Sequence, residues 1–418
     1  MAVPFSQTVI AVVWDFDKTL IPGNMEAPLF ARYGIDERAF WGEVDALHDW
    51  YLAHGAERVN DDSLYLNLIL EYVRAGRMAG LNNALLRQLG GELVFHPGVP
   101  EILASLKRLV ADDPVYQRAD ISVEHYVVST GLKPIIEGSL LRPFVDDVWA
   151  CEFIEAHHPP GFLAPQQERL FGSPEGHKAD REITMLAYAI DNTSKTRALF
   201  EINKGSNKRP EIDVNSTLPR DLRRVPFQNM IYVADGPSDV PAWSVVRSEG
   251  GRTLGVYQRG SLRQFEQISA LQRDGRIHAF AEADYSEQST AWLWLTTEVR
   301  RIADRIIEDR ETALRQALRP PARHLPEEER PESAAAAPRR RPVESASNGA
   351  ATEAAESARQ EAAEARKAAG GRSPTPLPAR SRADEIRDSV RAAEDRDRSE
   401  DSTPVATPEA KRVRHRAR

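Results

Sequence analysis

Residues 9–14, Val-Ile-Ala-Val-Val-Trp, form an unbroken apolar run that stops at Asp15. Six residues are too few for an independent helix, and the run is too apolar for a strand with one wet face. What remains is a strand covered on both sides, which points to the interior of a mainly parallel sheet flanked by helices. The run feeds directly into Asp15-Phe16-Asp17-Lys18-Thr19. Alternation along extended backbone turns Asp15 and Asp17 to one side and Phe16 to the other, toward the core. A buried strand that ends in two carboxylates either starts an ordinary turn or exists to hold the two acids in a fixed geometry.

The rest of the chain repeats the strand–helix theme. EHYVVST (124–130), DDVWACEF (146–153), NMIYVADG (229–236), RTLGVY (252–257) and IHAFAEA (277–283) read as further strands. HPGVPEILASLKRLV (96–110) reads as a helix opened by Pro and Gly, with Ile102, Leu103, Leu106 and Leu109 on its inner face. GLKPIIEGSL (131–140) is a helix leaving the second strand, and TAWLWLTTEVRRIADRII (290–307) a closing amphipathic helix. This order predicts an α/β layer fold with a mostly parallel sheet. Residues 22–95 break the alternation. Phe40, Val44, Leu47 and Tyr51 follow Asp36 at helical spacing, and Leu64, Leu68, Tyr72, Leu81, Leu85 and Leu89 continue it. That stretch reads as a helical lid inserted between the first strand and the first core helix.

Composition changes sharply near Arg319. The last hundred residues are rich in Ala, Pro, Ser, Arg and Glu and lack Trp, Phe and Tyr, so residues 319–418 are expected to form a disordered tail. The net charge of −8 argues against a whole-chain nucleic-acid binder, and the basic end AKRVRHRAR reads as part of a mixed-charge solubilising tail with room for a protein partner. The single Cys151 excludes an internal disulfide and suits a reducing compartment. With no signal-like N-terminal pattern and no apolar run long enough for a bilayer, the expectation is a cytoplasmic protein with no membrane partner.

In open α/β sheets, ligands bind beyond the carboxyl ends of the strands. The first strand delivers Asp15 and Asp17, the second Ser129-Thr130-Gly131, and NMIYVADG delivers Asp235-Gly236-Pro237-Ser238-Asp239. Between the last two lies DNTSKTRALFEI (191–202), with Lys195 at a helix start behind the capping-type residues Thr193 and Ser194.

Acid pair, hydroxyl, lysine, acid pair: in this order the chain resembles the haloacid dehalogenase (HAD) superfamily of hydrolases over about residues 8–310. The helical insertion resembles the first-position cap of phosphoserine-phosphatase-like members. The resemblance implies a Rossmann-like core over residues 1–21 and 96–312, a cap over 22–95, and a phosphatase acting on a small phosphorylated metabolite. It implies Asp15 as nucleophile through an aspartyl-phosphate, Asp17 as general acid and base, and Lys195 as charge stabiliser. It also implies phosphate binding by Ser129 with Thr130 and Gly131, with Ser129 favoured over Thr130 because it ends the apolar run. Mg²⁺ would be held by Asp15, the backbone carbonyl of Asp17 and Asp235, with Asp239 acting through water or orienting Lys195. Asp17 separates this chain from the dehalogenases, which attack carbon and have no acid at that position.

Asn24 and Glu26, just after the acid loop, and Arg58, read as lying on the lid, are the specificity candidates. Arg38, His48 and His54 are also expected on lid helices. Glu26 resembles the acid that reads the substrate amine in phosphoserine-type enzymes, although its spacing from Asp15 differs. Lys178 competes with Lys195 but lies in polar GHKADRE, and His157-His158 read as loop residues within a long 153–183 connection that is expected to form an extra loop over the site. Trp14, Trp41 and Trp50 read as core or lid packing. Two rivals remain: phosphotransfer or mutase chemistry on the same scaffold, and an inactive phospholigand-binding module with an interaction tail.

Overall fold

The first strand, β1 (Val9–Trp14), is buried on both faces: Ile10 through Trp14 have no exposed surface in the computed structural model, which describes residues 5–155 and 181–318. The expectations for His157, His158, Lys178 and the tail after Arg319 lie outside the described residues. β1 pairs in parallel with β2 (Ser122–Leu132) on one side and β5 (Met230–Ala234) on the other. Beyond β2 lie β3 (Asp147–Ile154) and then β4 (Met185–Tyr188); beyond β5 lie β6 (Arg252–Tyr257) and β7 (Ala279–Glu282). The order across the sheet is therefore β4-β3-β2-β1-β5-β6-β7, and every pairing is parallel except β3 with β4.

β4 is the strand that the sequence pattern does not betray. It has four residues at the sheet edge, three of them exposed, so the continuous apolar signature of a doubly covered strand is missing. β2 also runs past the expected end at Thr130, to Leu132. Its register with β3 shifts between Val128 and Leu132, and Ser129-Thr130-Gly131 occupy that irregular stretch.

The insertion is helical throughout: α1 (Ala27–Tyr33), α2 (Glu37–Ala53), a short 3-10 turn at Asp61–Ser63, α3 (Leu64–Arg74) and α4 (Asn83–Gly90). Asp36 caps α2 by accepting the Ala39 amide at 2.6 Å. α3 is buried on nearly every side and forms the spine of the insertion. An aromatic cluster joins α1, α2 and α3: Phe30 meets Phe40 at 4.6 Å, Phe40 meets Tyr72 at 5.4 Å, and Trp41 meets Tyr65 at 5.8 Å between ring centres. Trp50 departs from the packing expectation. It is 53% exposed and stacks on the His54 ring at 3.9 Å.

α4 docks on α7 (Lys133–Gly138), the helix leaving β2, through two glycines. A Cβ at Gly90 would fall 2.1 Å from the Ile135 carbonyl oxygen, and one at Gly138 would fall 1.8 Å from that of Arg87. The insertion and the core thus meet backbone to backbone, which only glycine permits.

On the core itself, α5 (Glu101–Ala111) starts five residues later than the sequence pattern suggests, because Pro100 flanks its first turn as the cap residue. A short α6 (Pro114–Arg118) precedes β2. After β4 come α8 (Lys195–Lys204), α9 (Val240–Ser248) and α10 (Leu262–Arg273), then the long α11 (Thr290–Ala317). α11 seats Leu295, Val299, Ile302 and Ile306 against the core at helical spacing and reaches ten residues beyond the expected end.

Among the described residues, no helix is long and apolar enough to cross a membrane.

Candidate active site

The chain walks from β1 to β4 in one direction across the sheet, then returns to β1's other side with β5. The order reverses at β1, and the crevice beyond the carboxyl ends of the strands at such a point is where open α/β sheets bind ligands. A cavity of about 640 Å³ opens there. Asp15, Asp17, Thr130, Gly131, Lys195 and Asp235 line its floor. Asn24, Glu26, Trp41, Val44, Asp61, Asp62 and Tyr65 close it from the insertion, and Ser261, Arg263, Gln264 and Gln267 from the start of α10.

Asp15 leaves β1 with its amide bonded to the Val233 carbonyl of β5 at 2.9 Å, so the sheet ladder itself sets its position. The next residues wrap around one carbonyl: the amides of Thr19, Leu20 and Ile21 all point to Phe16 O. Lys18 takes a left-handed φ of 58°, which costs a non-glycine residue about 1 kcal/mol or more. The turn is held by the Lys18 amide on Gly23 O at 3.2 Å. Phe16 is buried against Phe95, as alternation requires, and both acids face the cavity.

The two oxygens of Asp15 are separately engaged. Oδ1 accepts Lys195 Nζ at 2.8 Å, and Oδ2 accepts the Thr19 hydroxyl at 3.0 Å. Lys195 is 1% exposed and also donates to Asp239 Oδ1 at 2.7 Å. Asp239 accepts further bonds from Tyr232 OH at 2.7 Å and Ser238 Oγ at 2.8 Å. Lys195 and Tyr232 thus share Asp239 Oδ1, and Ser238 takes Oδ2. Lys195 begins α8, but Thr193 and Ser194 do not cap it as expected. The cap comes from Asp191, whose Oδ1 accepts the amides of Thr193 at 3.0 Å and Ser194 at 2.6 Å, and whose carbonyl accepts the Lys195 amide at 3.1 Å.

Asp17 is held apart from that cluster: its Oδ1 accepts the Met25 amide at 2.8 Å. Met25 is in turn fixed on β2, with its sulfur 3.0 Å from the Leu132 amide. Gly131 makes room for it, since a Cβ there would fall 2.2 Å from Met25 Cε. Ser129, the favoured phosphate ligand, is 1% exposed and its Oγ accepts the Gly131 amide at 3.0 Å; Thr130 is the hydroxyl residue that borders the cavity. Asn24 and Glu26 reach the cavity as expected, with Asn24 Nδ2 on Glu37 at 3.3 Å. Arg58 does not: it is exposed in the loop after α2, not on a helix, because α2 ends at Ala53.

The electrostatics are lopsided. Burial, with Asp15 and Asp239 adding to it, raises Asp235 to about 7. Burial likewise lifts Asp15 to about 6 against the pull of Lys195. Asp17 lies well above the ordinary carboxylate range through burial and the neighbouring charges of Glu26 and Asp15, and burial brings Glu26 to about 7. Burial works against the Lys195 ammonium, but Asp15 and Asp239 outweigh it and keep it charged. Carboxylate oxygens of Asp15, Asp235 and Asp239 lie within 4.8 Å of one another. Among the described residues Lys195 is the buried ammonium bonded to these acids, with Lys18 acting on Asp235 from further off, and oxygen donors so grouped fit a divalent cation such as Mg²⁺.

Sequence reasoning missed Thr19, Met25, Tyr232, Ser238, Tyr65 and the residues of α10. Thr19 and Ser238 stood inside the quoted motifs. Tyr232 carried only the faint signal of a hydroxyl within an apolar strand.

An uncharacterized protein of Borreliella burgdorferi is 32% identical over 296 residues, covering 70% of this chain and 97% of its own. No family model matches. Among solved structures, a HAD family hydrolase from Salmonella enterica serovar Typhi is 13% identical, with 66% of this chain and 67% of that one covered and a TM-score of 0.37. A phosphoserine phosphatase captured with a phospho-aspartyl intermediate analogue is 12% identical, with 65% and 93% covered and a TM-score of 0.36. Likenesses of that size leave the chemistry to be argued from the site's own residues.

Proposed function

The chain belongs to the same family as that uncharacterized protein, and from its own site we propose that it is a Mg²⁺-dependent HAD-like phosphatase, which hydrolyses a small phosphomonoester through an aspartyl-phosphate on Asp15. One observation carries this reading: a nucleophile-capable carboxylate locked by Lys195 and Thr19 faces the same cavity as a second acid, Asp17, whose burial and acidic neighbours favour its protonated form.

Each residue has a task. Lys195 and Thr19 fix the Asp15 rotamer so that a carboxylate oxygen meets phosphorus in line with the leaving oxygen. As the Asp15 O–P bond forms and the ester P–O bond breaks, the proton on Asp17 passes to the departing alkoxide. Asp17, now ionised, takes a proton from water; the resulting attack on phosphorus splits the Asp15 O–P bond and releases phosphate. Lys195 offsets charge on the phosphoryl oxygens, with Thr130 as the hydroxyl donor on the β2 side. Asp239, Tyr232 and Ser238 keep the lysine aimed. Bound through Asp15, Asp235 and the Asp17 carbonyl, Mg²⁺ would supply the remaining positive charge that lets one anion approach another.

Asp17 favours hydrolysis over a purely binding role, because a phosphate sensor gains nothing from a buried acid two residues after the nucleophile. Purified full-length protein is expected to release p-nitrophenol and free phosphate from p-nitrophenyl phosphate with Mg²⁺, and to lose that activity with EDTA and in Asp15→Asn. Undiminished turnover in EDTA would overturn the metal assignment, and undiminished turnover in Asp15→Asn the nucleophile.

A further inference from the structure

Among the described residues, the turn between α2 and α3 hydrogen-bonds to the core through Asn60 and Asp62. Asp62 Oδ2 accepts the backbone amide of Asn192 at 3.1 Å, and Asp62 Oδ1 accepts the Asn192 side-chain amide at 3.1 Å. Beside it, Asn60 Nδ2 donates to Asp191 Oδ2 at 3.4 Å. Residues 60–62 belong to the insertion that roofs the cavity, and residues 191–192 lead directly into the turn that carries Lys195. Asp191 is the centre of that turn. It takes the amides of Thr193, Ser194 and Lys195 through its side chain and its carbonyl, and its backbone amide goes to Ser194 Oγ at 2.7 Å.

Two hydrogen bonds to one carboxylate fix both the position and the direction of Asn192 in a way that a single contact does not. They also tie the placement of the roof to the placement of the lysine. If the roof lifts, the segment just ahead of Lys195 loses its outer anchors, and only two residues separate Asn192 from the lysine that grips Asp15. A surface pair with no task would need neither the backbone bond nor the neighbouring Asn60–Asp191 bond. The cavity lies on the same side of this junction, with Asp61 and Asp62 both on its wall.

We propose that Asp62 is a positioning residue: its two-point bond to Asn192 is the latch through which the closed insertion holds Lys195 in its working geometry. This rests on the phosphatase reading above. Enclosure of a substrate and completion of the charged site are then one event, and a phosphate ester outside the roof meets a less ordered lysine.

The test exploits the reciprocity of the pair. Asp62→Ala alone removes both acceptors, and Asn192→Asp alone sets two carboxylates against each other; the compensating double variant is Asp62→Asn with Asn192→Asp. The double variant restores one donor and one acceptor and keeps the backbone bond. Each single change is expected to lower kcat for p-nitrophenyl phosphate about tenfold while KM moves by less than about threefold, with the double variant recovering to within about threefold of wild type. Hydrogen exchange followed by mass spectrometry is expected to show faster exchange of residues 191–199 in both single variants and recovered protection in the double one. Single variants with wild-type kcat, or a double variant no better than the worse single one, would overturn the latch. A wild-type protein that turns nothing over would instead sink the phosphatase reading; exchange then decides alone, and unchanged protection of 191–199 in Asp62→Ala refutes the latch.

Discussion

Gly131→Ala is the smallest change that tests how Asp17 is held. The added methyl carbon would sit 2.2 Å from Met25 Cε, 2.6 Å from Met25 Sδ and 3.3 Å from Asp17 Oδ2. Non-bonded carbons rest at about 3.5–4.0 Å, so the end of Met25 must withdraw by more than about 1 Å. Met25 is fully buried, which leaves no free volume to withdraw into, and overpacking of this kind costs about 1–3 kcal/mol. In a folded unit of this size that is a fall in Tm of several degrees, on the order of 2–4 °C per kcal/mol. The catalytic effect should be larger than the stability effect. The Met25 amide is the hydrogen bond on Asp17 Oδ1, and a reacting group misplaced by about 1 Å loses up to about a hundredfold in rate. Steady-state hydrolysis of p-nitrophenyl phosphate, with calorimetry in parallel, is expected to give kcat lowered by about 10- to 100-fold with KM little changed. Met25→Ala placed on top of Gly131→Ala removes the overlap while leaving the backbone amide, and is expected to recover much of kcat although it lowers Tm further. Gly131→Ala with a kcat within about twofold of wild type would refute the reasoning. So would a double variant as slow as the single one.

Other expectations follow from the same geometry. Lys195→Met removes the one ammonium in contact with Asp15 and Asp239; the metal-free protein should lose about 3–5 kcal/mol in chemical denaturation, with Mg²⁺ returning part of it, and wild-type stability in EDTA would refute the ion-pair argument. His125 is buried and neutral, accepting from Trp14 Nε1 at 3.2 Å and donating to Leu103 O at 2.9 Å, and burial depresses it from 6.5 to about 3. Its contribution is therefore complete above pH 6.5 and lost as pH falls toward 3, so His125→Asn should flatten the acid limb of the stability curve; an unchanged limb would show that another group drives acid unfolding.

The elements legible in the sequence were those whose environment is uniform along their length. β1, β2, β3, β5 and β6 are buried over most of their length, and apolar runs announce them, while β7 at the edge opposite β4 is only partly buried. β4 is short, antiparallel and half in solvent, so its pattern is set by an edge position that no local rule encodes. The helical insertion was readable from spacing alone, but not the side it would dock on. That depends on Gly90 and Gly138 meeting backbone to backbone, forty-eight positions apart in the chain. Ser129 and Thr130 illustrate the limit within a strand. Thr130 and not Ser129 borders the cavity, within the stretch where the register with β3 shifts between Val128 and Leu132.

The acids were legible for a different reason: a strand that ends in carboxylates is a poor way to build a core. Asp15, Asp17, Glu26 and Asp235 face one cavity, Asp239 stands directly behind it, and one buried ammonium answers them. Burial pushes such groups toward protonation and the neighbouring acids push further, against the pull of the lysines, so the arrangement favours a positive partner. Local rules of folding fail in this place because they describe the chain by itself. The partners around the site, Tyr232 on Asp239 across a strand-end turn and Asp62 on Asn192 across the chain, look ordinary where they stand in the sequence. Charge surplus at a strand end therefore marks where a ligand belongs, while the devices that aim the charges become visible only when the sheet and its helical roof are assembled around them.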